Sequence, residues 1–527
     1  MVYGKRLKMN GEGTMKKKLV ASFILALSLM AGIFGCSTDD VGNNNGEKEA
    51  AVDTGAKAQY VKMSDDFDIS EEDKALYESL FDINSEVKIS IDISDEELAK
   101  IQEDYDHYQN FNSKSPIYRM CTMTIEINGE KHVLEEVGIR MKGNTSRTDF
   151  YDTNKGEVYN LIHFKISFTE TFDEEEYYGE EAKVWSDEEA RKERKNRTFA
   201  SLEGLELKWN RDRDTTYMRE TYAYQMYRDF GVLAPNNGLS NLVVNDTNWG
   251  LYKVYEPVDK IFIERYMDEE DQGGDLYKCG WAGRSNASYS KTSGVAGVED
   301  EDAGKFYAYD LKTNKKTSTH ESLTNLINTA KNSGSTKEEL EAVLDVDNWL
   351  RFMAVSYFLG MPDDLRNNYN NHYVYFKGST GQAIFIAYDC EICLGINDWN
   401  PTGNYMTETD PYASYAYGTN KKQENPIVKR TVCEGGLYTD EYTEILDMIA
   451  ASKWFSFTTY EVMFGELYSK YAEQAVPDVD VKKFDKQYFE MAIDDTCNNG
   501  KQANGNMPVK EYMQKMLDNY KKYRDVQ

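Results

Sequence analysis

Residues 358–395, FLGMPDDLRNNYNNHYVYFKGSTGQAIFIAYDCEICLG, restrict the architecture of this chain more than any other segment. An acidic, amide-rich loop (Asp363, Asp364, Asn367, Asn368, Asn370, Asn371) runs into an alternating apolar and aromatic strand. A short turn and a second apolar strand follow, ending abruptly in Asp389 and Glu391. A hairpin brings both clusters to one end of a sheet. Carboxylate and amide oxygens converging there suit a hard divalent cation. With a nucleotide on that cation, the same arrangement suits phosphoryl transfer.

The chain has 527 residues, enough for one large core or two ordinary ones. Its first stretch stands apart. A basic Met15-Lys16-Lys17-Lys18 precedes an apolar run from Leu19 to Phe34, closing on Gly35-Cys36. Residues 1–36 therefore read as a secretory signal whose apolar part is short for a spanning helix. Cys36 resembles the cysteine of a bacterial lipoprotein cleavage site, which becomes the lipidated N-terminus. The expected location is the outer face of the cytoplasmic membrane, with the membrane met through the N-terminal lipid alone. Polar, aperiodic sequence follows, and residues 37–75 are expected to form a disordered tether.

The whole chain carries a formal charge of −30. Removing the basic leader (Lys5, Arg6, Lys8, Lys16, Lys17 and Lys18 against Glu12) leaves the remainder near −35. Such a body repels nucleic acid, and no basic stripe offsets it. An anionic nucleotide is opposed equally, so a nucleotide site requires local cations and a metal. Of the six cysteines after Cys36, Cys390 and Cys393 form a CxxC pair. No second pair or histidine cluster completes a zinc site, and ordinary buried thiols are the expectation.

A hairpin is expected at Met120–Ile127, Asn128-Gly129 and the strand through Val137–Arg140. Another strand covers Leu161–Phe168, and residues 169–196 read as an acidic exposed insertion. Leu205–Lys208 is a strand, and a helix opened by Asp214 runs to Phe230. A second hairpin joins Leu239–Asn245 to Gly250–Glu256 around residues 246–249, before a helix near Asp259–Met267. Residues 273–345 read as a polar segment with helices near 321–332 and 337–344, and a further helix covers 347–360. The tail from Tyr438 is mainly helical. Strands followed by helices indicate an α+β class rather than alternating βαβ units.

Two upstream features offer cations. Gly138 to Arg147 ends a strand in Arg140, Lys142, Gly143 and short polar residues, which suits an anion. Lys165 lies in mid-strand, on the face opposite Ile162, Phe164, Ile166 and Phe168. Read in order, seven segments resemble the CotH (spore-coat-H-like) family, regarded as atypical protein kinases. They are Arg-x-Lys-Gly-Asn-x-Ser from Arg140, Phe-Lys-Ile-x-Phe from Phe164 and Asp-Thr-Thr-Tyr-Met-Arg-Glu from Asp214. Val-Asn-Asp-x-x-Trp-Gly-Leu-Tyr from Val244, with Glu256 and Val258-Asp259-Lys260, and Asp275-Leu-Tyr-Lys follow. Asn371-His-Tyr-Val-Tyr and Tyr388-Asp-x-Glu-x-x-x-Gly complete the series.

The resemblance implies an atypical protein-kinase-like fold over residues 80–525. Its N-terminal β-rich part, with an antiparallel sheet, covers about 85–270, and a mostly helical C-terminal part covers about 320–525. It implies ATP and Mg²⁺ (or Mn²⁺) as cofactors, and Ser/Thr hydroxyls of extracytoplasmic or spore-coat proteins as acceptors. Asp389 matches the first acidic residue of the family's Trp-Asp-x-Asp-x-x-Phe-Gly metal motif. Asn371 matches the asparagine of its Asn-Tyr-Tyr-Leu-Tyr strand, and Glu391 stands at the second acidic position. Asp363 or Asp364 occupies the place of the catalytic base. Arg140, Lys142 and Lys165 are expected at the nucleotide phosphates, with Glu220 pairing a phosphate-binding lysine. The chain departs from the motif at Tyr388, Glu391 and Leu394, where the family has Trp, Asp and Phe.

Two other classes compete with a kinase. A surface lipoprotein could keep the fold as a scaffold or polysaccharide-binding module, with some of its 39 tyrosines and 7 tryptophans lining the binding surface. A metal-dependent hydrolase could use the same acids, but no His cluster or Gly-x-Ser-x-Gly turn supports it.

Overall fold

Seven strands close into a barrel, and the reason is visible in their alternation. The structure, a computed structural model, describes residues 61–524 apart from 110–113, 145, 211–213, 281–285, 301–304, 397–404, 414–423, 483, 485 and 494–505. Cys36 and the signal sequence lie outside the described residues, as does Thr145 of the Arg140 motif. Chain order in the barrel region begins with β1 (Val87–Asp92), β2 (Arg119–Ile127) and β3 (Glu130–Lys142). A small ribbon of β4 (Tyr151–Asp152) and β5 (Glu157–Val158) precedes β6 (His163–Ser167) and β7 (Gly204–Trp209). The hairpin β8 (Asn237–Val244) and β9 (Thr247–Tyr255) completes it.

The barrel order is β1-β2-β3-β6-β7-β9-β8, antiparallel throughout except for the parallel β1–β8 pair that closes it. The antiparallel sheet expected from sequence takes this closed form, a barrel that the sequence reading did not specify. Every second residue (Ile89, Ile91, Ile125, Ile139, Phe164, Ile166, Leu207, Val254) fills the interior. Closure leaves no unpaired edge to be protected. Asn128 (φ 51) and Gly129 (φ 89) form the expected two-residue β2–β3 turn. The β8–β9 turn falls on Asn245 (φ 48) and Asp246 (φ 62), earlier and tighter than expected, because Asn and Asp tolerate left-handed backbone.

A second sheet has the order β11-β12-β10-β13-β14. It is built from β10 (Leu276–Cys279), β11 (Ala296–Gly297), β12 (Tyr309–Leu311), β13 (His372–Phe376) and β14 (Ala383–Ala387). The segment read as polar with helices thus supplies three strands: β13 gives β10 a long-range partner, and β12 and β11 add on to β10 in turn. The hairpin expected at 358–395 is present, in the register His372↔Ala387 to Phe376↔Ala383. Both its faces are buried. Val374, Phe376, Phe385 and Ala387 join the large helical core, whereas Tyr373, Tyr375, Ile384, Ile386 and Tyr388 pack with Phe262 and Tyr266.

Helices Arg219–Asp229, Val346–Leu359, Thr439–Ala450, Phe457–Tyr471 and Val509–Arg524 surround the first of these cores. Asp345 caps Val346–Leu359 by accepting from Asn348 N at 3.1 Å, and Gly360 (φ 61) ends it. The mixed α+β class holds. The tether expectation is corrected at its C-terminal end: Val61 N donates to Arg228 O at 3.0 Å, and helix Glu71–Phe81 buries Tyr77, Leu80 and Phe81. The insertion at 169–196 carries two short helices and is docked, Arg194 Nε donating to Glu170 O at 2.7 Å and Lys183 pairing with Glu136. No helix among the described residues is long and apolar enough to cross a membrane.

Candidate active site

Alternation that fills the barrel also decorates its outside. Arg140, Lys165, Glu206 and Tyr255 form one row across β3, β6, β7 and β9, and Lys208 stands opposite Lys253 farther along β7 and β9. Two lysines directly opposed on a sheet repel unless an anion sits between them. Glu220 is that anion. It rises from helix Arg219–Asp229, 3.1 Å from Lys253 Nζ and 3.6 Å from Lys208 Nζ, with Tyr255 also donating to it. Burial opposes Glu220's charge, but the two ammoniums outweigh it and hold the carboxyl below its usual range.

The hairpin mouth meets this face. Continuing the antiparallel His372↔Ala387 register beyond the strands sets Asn371 across from Tyr388 and Asn370 across from Asp389. Asn371 (φ 54) and Asp389 (φ 56) both hold left-handed backbone, a costly conformation that collects at functional sites. Asp389 N donates to Tyr224 OH at 2.7 Å, and Tyr224 OH donates to Glu220 Oε1 at 3.2 Å. Lys208 Nζ lies 2.7 Å from Asp389 Oδ1. Burial disfavours the Asp389 carboxylate, yet Lys208, helped by Lys142 and Lys278, keeps its carboxyl far below the ordinary range. Burial likewise disfavours the Lys208 ammonium, and Asp389 and Glu220 hold it well above the ordinary range. Asp389 is nevertheless a third exposed, at 34 %.

Tyr388 packs on the same cations. Its hydroxyl oxygen accepts from Lys142 Nζ at 3.3 Å and Lys278 Nζ at 3.4 Å, and Lys278 sits 4.5 Å from its ring centroid. A tryptophan has no acceptor to offer there. Lys142 is 2.7 Å from Glu206 Oε2. Glu391 lines a cleft with Lys208, Asn210, Asp214, Glu220 and Lys253.

The two aspartates of the preceding loop separate cleanly. Asp364 is buried and clamped by Ser356, by Asn367 N at 2.7 Å and by Asn367 Nδ2 at 2.8 Å, so it shapes the loop. Asp363 is only half-buried, accepting from Asn368 Nδ2 at 2.7 Å and Asn370 Nδ2 at 3.2 Å. Burial pushes its carboxyl up to about 6, against these amides and with the help of Asp389 and Asp364.

The structure thus brings Lys142, Glu220, Asp389 and Glu391 to one junction between barrel and second sheet, with Asn371 at the same hairpin mouth. Lys165 shares the outer row, where its charge bears on Glu206. Arg140 is drawn aside: Nη1 donates to Ser115 O at 2.7 Å and the guanidinium lies 5.1 Å over Tyr118. Sequence reasoning missed Lys208, Lys253, Lys278 and Glu206. Each lies on a short apolar strand at the position facing away from the core, and that alternation was the available signal. The five described cysteines after Cys36 (Cys121, Cys279, Cys390, Cys393, Cys433) are free and buried; Cys497 lies outside the described residues. Burial raises the Cys390 and Cys393 thiols, so neither is poised for redox or metal chemistry.

A family model described as CotH kinase protein matches residues 140–515. The chain belongs to the CotH family. Among curated proteins, none matches it. The CotH match spans the outer lysines of the barrel, the second sheet and the helical tail, so it covers the whole junction.

The donor set fits a metal–nucleotide. No group of three or more His, Cys, Asp or Glu side chains stands at metal-holding spacing among the described residues. Mg²⁺ commonly needs one or two carboxylates, completing its shell with water and substrate phosphates. An ionised, partly exposed Asp389 at the hairpin mouth, backed by several ammoniums, meets that need.

Proposed function

We propose that this CotH protein is a Mg²⁺- and ATP-dependent protein kinase with an atypical kinase-like fold. Its acceptors are Ser/Thr hydroxyls of extracytoplasmic or spore-coat proteins, and it is anchored through a lipid on Cys36. The observation that carries the reading is the Lys208–Asp389 contact of 2.7 Å, with Lys208 also on Glu220. It sets a helix glutamate and a partly exposed aspartate on one buried lysine at the hairpin mouth. Protein kinases rely on such parts, in which positioning and charge do most of the work.

ATP supplies the phosphoryl group, and the divalent cation neutralises its charge. Asp389 and Asn371 would hold the cation, with Glu391 alongside. Lys142 and Lys278 attract the phosphate oxygens, Lys208 holds Asp389 and Glu220 together, and Lys253 fixes Glu220 in place. Asp363 orients the acceptor hydroxyl and takes its proton, a task suited to a carboxylate titrating near neutrality. Tyr388 keeps Lys142 and Lys278 in register. Calorimetric titration of the protein with ATP and Mg²⁺ tests the reading. Saturable one-site binding that weakens at least about tenfold in Asp389→Ala is expected; no binding at millimolar ATP favours a scaffold instead.

A further inference from the structure

Glu206 is the carboxylate that the kinase reading leaves unused, and it stands where a nucleotide site would least welcome one. It projects from β7 within the Arg140–Lys165–Glu206–Tyr255 row, the one acid in that row. Its Oε2 is 2.7 Å from Lys142 Nζ, and both side chains are largely buried, at 13 % and 14 % exposed. Lys142 in turn reaches Tyr388 OH at 3.3 Å, beside Lys278. Burial opposes the charge of Glu206, yet Lys142, Lys165 and Lys278 bring its carboxyl down to about 2, so it stays ionised at neutral pH.

Glu220 has a different character. It neutralises two opposed lysines and links helix Arg219–Asp229 to the barrel, whereas Glu206 ties up a lysine at the edge of the junction. An ammonium already bonded to a carboxylate is a weak partner for an incoming anion, and the fixed carboxylate repels that anion at short range. We propose that Glu206 is an internal stand-in for a phosphate: it occupies Lys142 in the empty site and selects for metal-charged nucleotide over free polyanions. This rests on the kinase reading of the same site. On binding, the Lys142 ammonium passes from Glu206 to a phosphate oxygen, and only ion pairs and hydrogen bonds change. Bound metal lowers the nucleotide's charge and with it the repulsion from Glu206, which gives the discrimination its direction.

The test is calorimetry on the intact protein and its Glu206→Gln variant, using ATP with Mg²⁺, ATP without metal and inorganic tripolyphosphate without metal. Glu206→Gln is expected to bind metal-free ATP and tripolyphosphate at least about fivefold tighter than wild type. Its gain from Mg²⁺ is expected to shrink correspondingly. A thermal melt establishes that the variant is folded, and Glu206→Ala replaces it if it is not. Unchanged or weaker metal-free binding in the variant overturns the role of Glu206, while wild-type binding of Mg²⁺–ATP leaves the kinase reading intact. Failure of both proteins to bind Mg²⁺–ATP overturns the kinase reading and the inference with it.

Discussion

Lys208 on barrel strand β7 and Asp389 at the end of β14 meet at 2.7 Å, joining two sheets that share no strand. Everything else at the junction is arranged around that contact. Glu220 braces Lys208 from one side, and Tyr224 holds the Asp389 backbone from another.

The pair is expected to behave as a coupled unit. Lys208→Met and Asp389→Asn should each cost about 1–3 kcal/mol in chemical denaturation, because each removes one partner of a close ion pair whose lysine is buried. The double mutant should cost less than their sum by about 1–3 kcal/mol. The Asp389 carboxyl is depressed in the fold, so its contribution is lost as pH falls through that lowered value. The Lys208 ammonium is raised, so its contribution is lost as pH rises through the raised value. Additive single-mutant costs would contradict the coupling.

Asp363 carries the opposite sign. Its folded value, about 6, lies above that of an unfolded aspartate, so the folded state binds more protons between about pH 4 and 6. Stability therefore falls with rising pH across that window, and Asp363→Asn should flatten the slope. Phosphoryl transfer should rise with pH to a plateau above about 6, and Asp363→Asn should lose about 10²–10⁴-fold in rate.

Arg219 is fully buried and ties the start of its own helix to two distant segments. Nη1 pairs with Asp214 Oδ1 at 2.8 Å, Nε donates to Leu394 O at 3.2 Å, and Nη2 donates to Met507 O at 3.0 Å. Arg219→Ala should destabilise the protein by about 3–5 kcal/mol by removing the cation paired with buried Asp214 and leaving the Leu394 and Met507 carbonyls without that donor. A denaturation midpoint shift worth less than about 1 kcal/mol would refute that role.

Tyr388→Phe removes the acceptor shared by Lys142 and Lys278 while keeping the ring. A loss of about 0.5–1.5 kcal/mol in stability is expected, together with weaker nucleotide binding in calorimetry. Wild-type binding by this variant would remove Tyr388 from the positioning of the lysines.

The hairpin at 358–395 was readable because its turn, alternation and terminal acids are all local. The position of Asp389 at the hairpin mouth, at the same end as Asn371, followed from it. The lysine that meets Asp389 was not readable. Lys208 lies 181 residues away, and its importance depends on barrel closure, which no short window reports. Strands β10 to β12 were missed because each is only two to four residues long, and β10 finds its β13 partner about 100 residues away. Arg140 looked as competent as Lys142 in sequence, being two positions away on the same strand face. Ser115 and Tyr118 claim it through tertiary contacts. Asp363 and Asp364 were indistinguishable until burial and the Ser356 and Asn367 bonds separated them.

The central claim is phosphoryl transfer at Asp389, and one assay addresses it directly. The protein is incubated with γ-labelled ATP, Mg²⁺ and a Ser-rich acceptor, beside Asp389→Ala. Label transferred to the acceptor or to the protein itself by wild type, and lost in the variant, is the predicted result. No transfer by a wild-type protein that binds Mg²⁺–ATP, or equal transfer by Asp389→Ala, would contradict it.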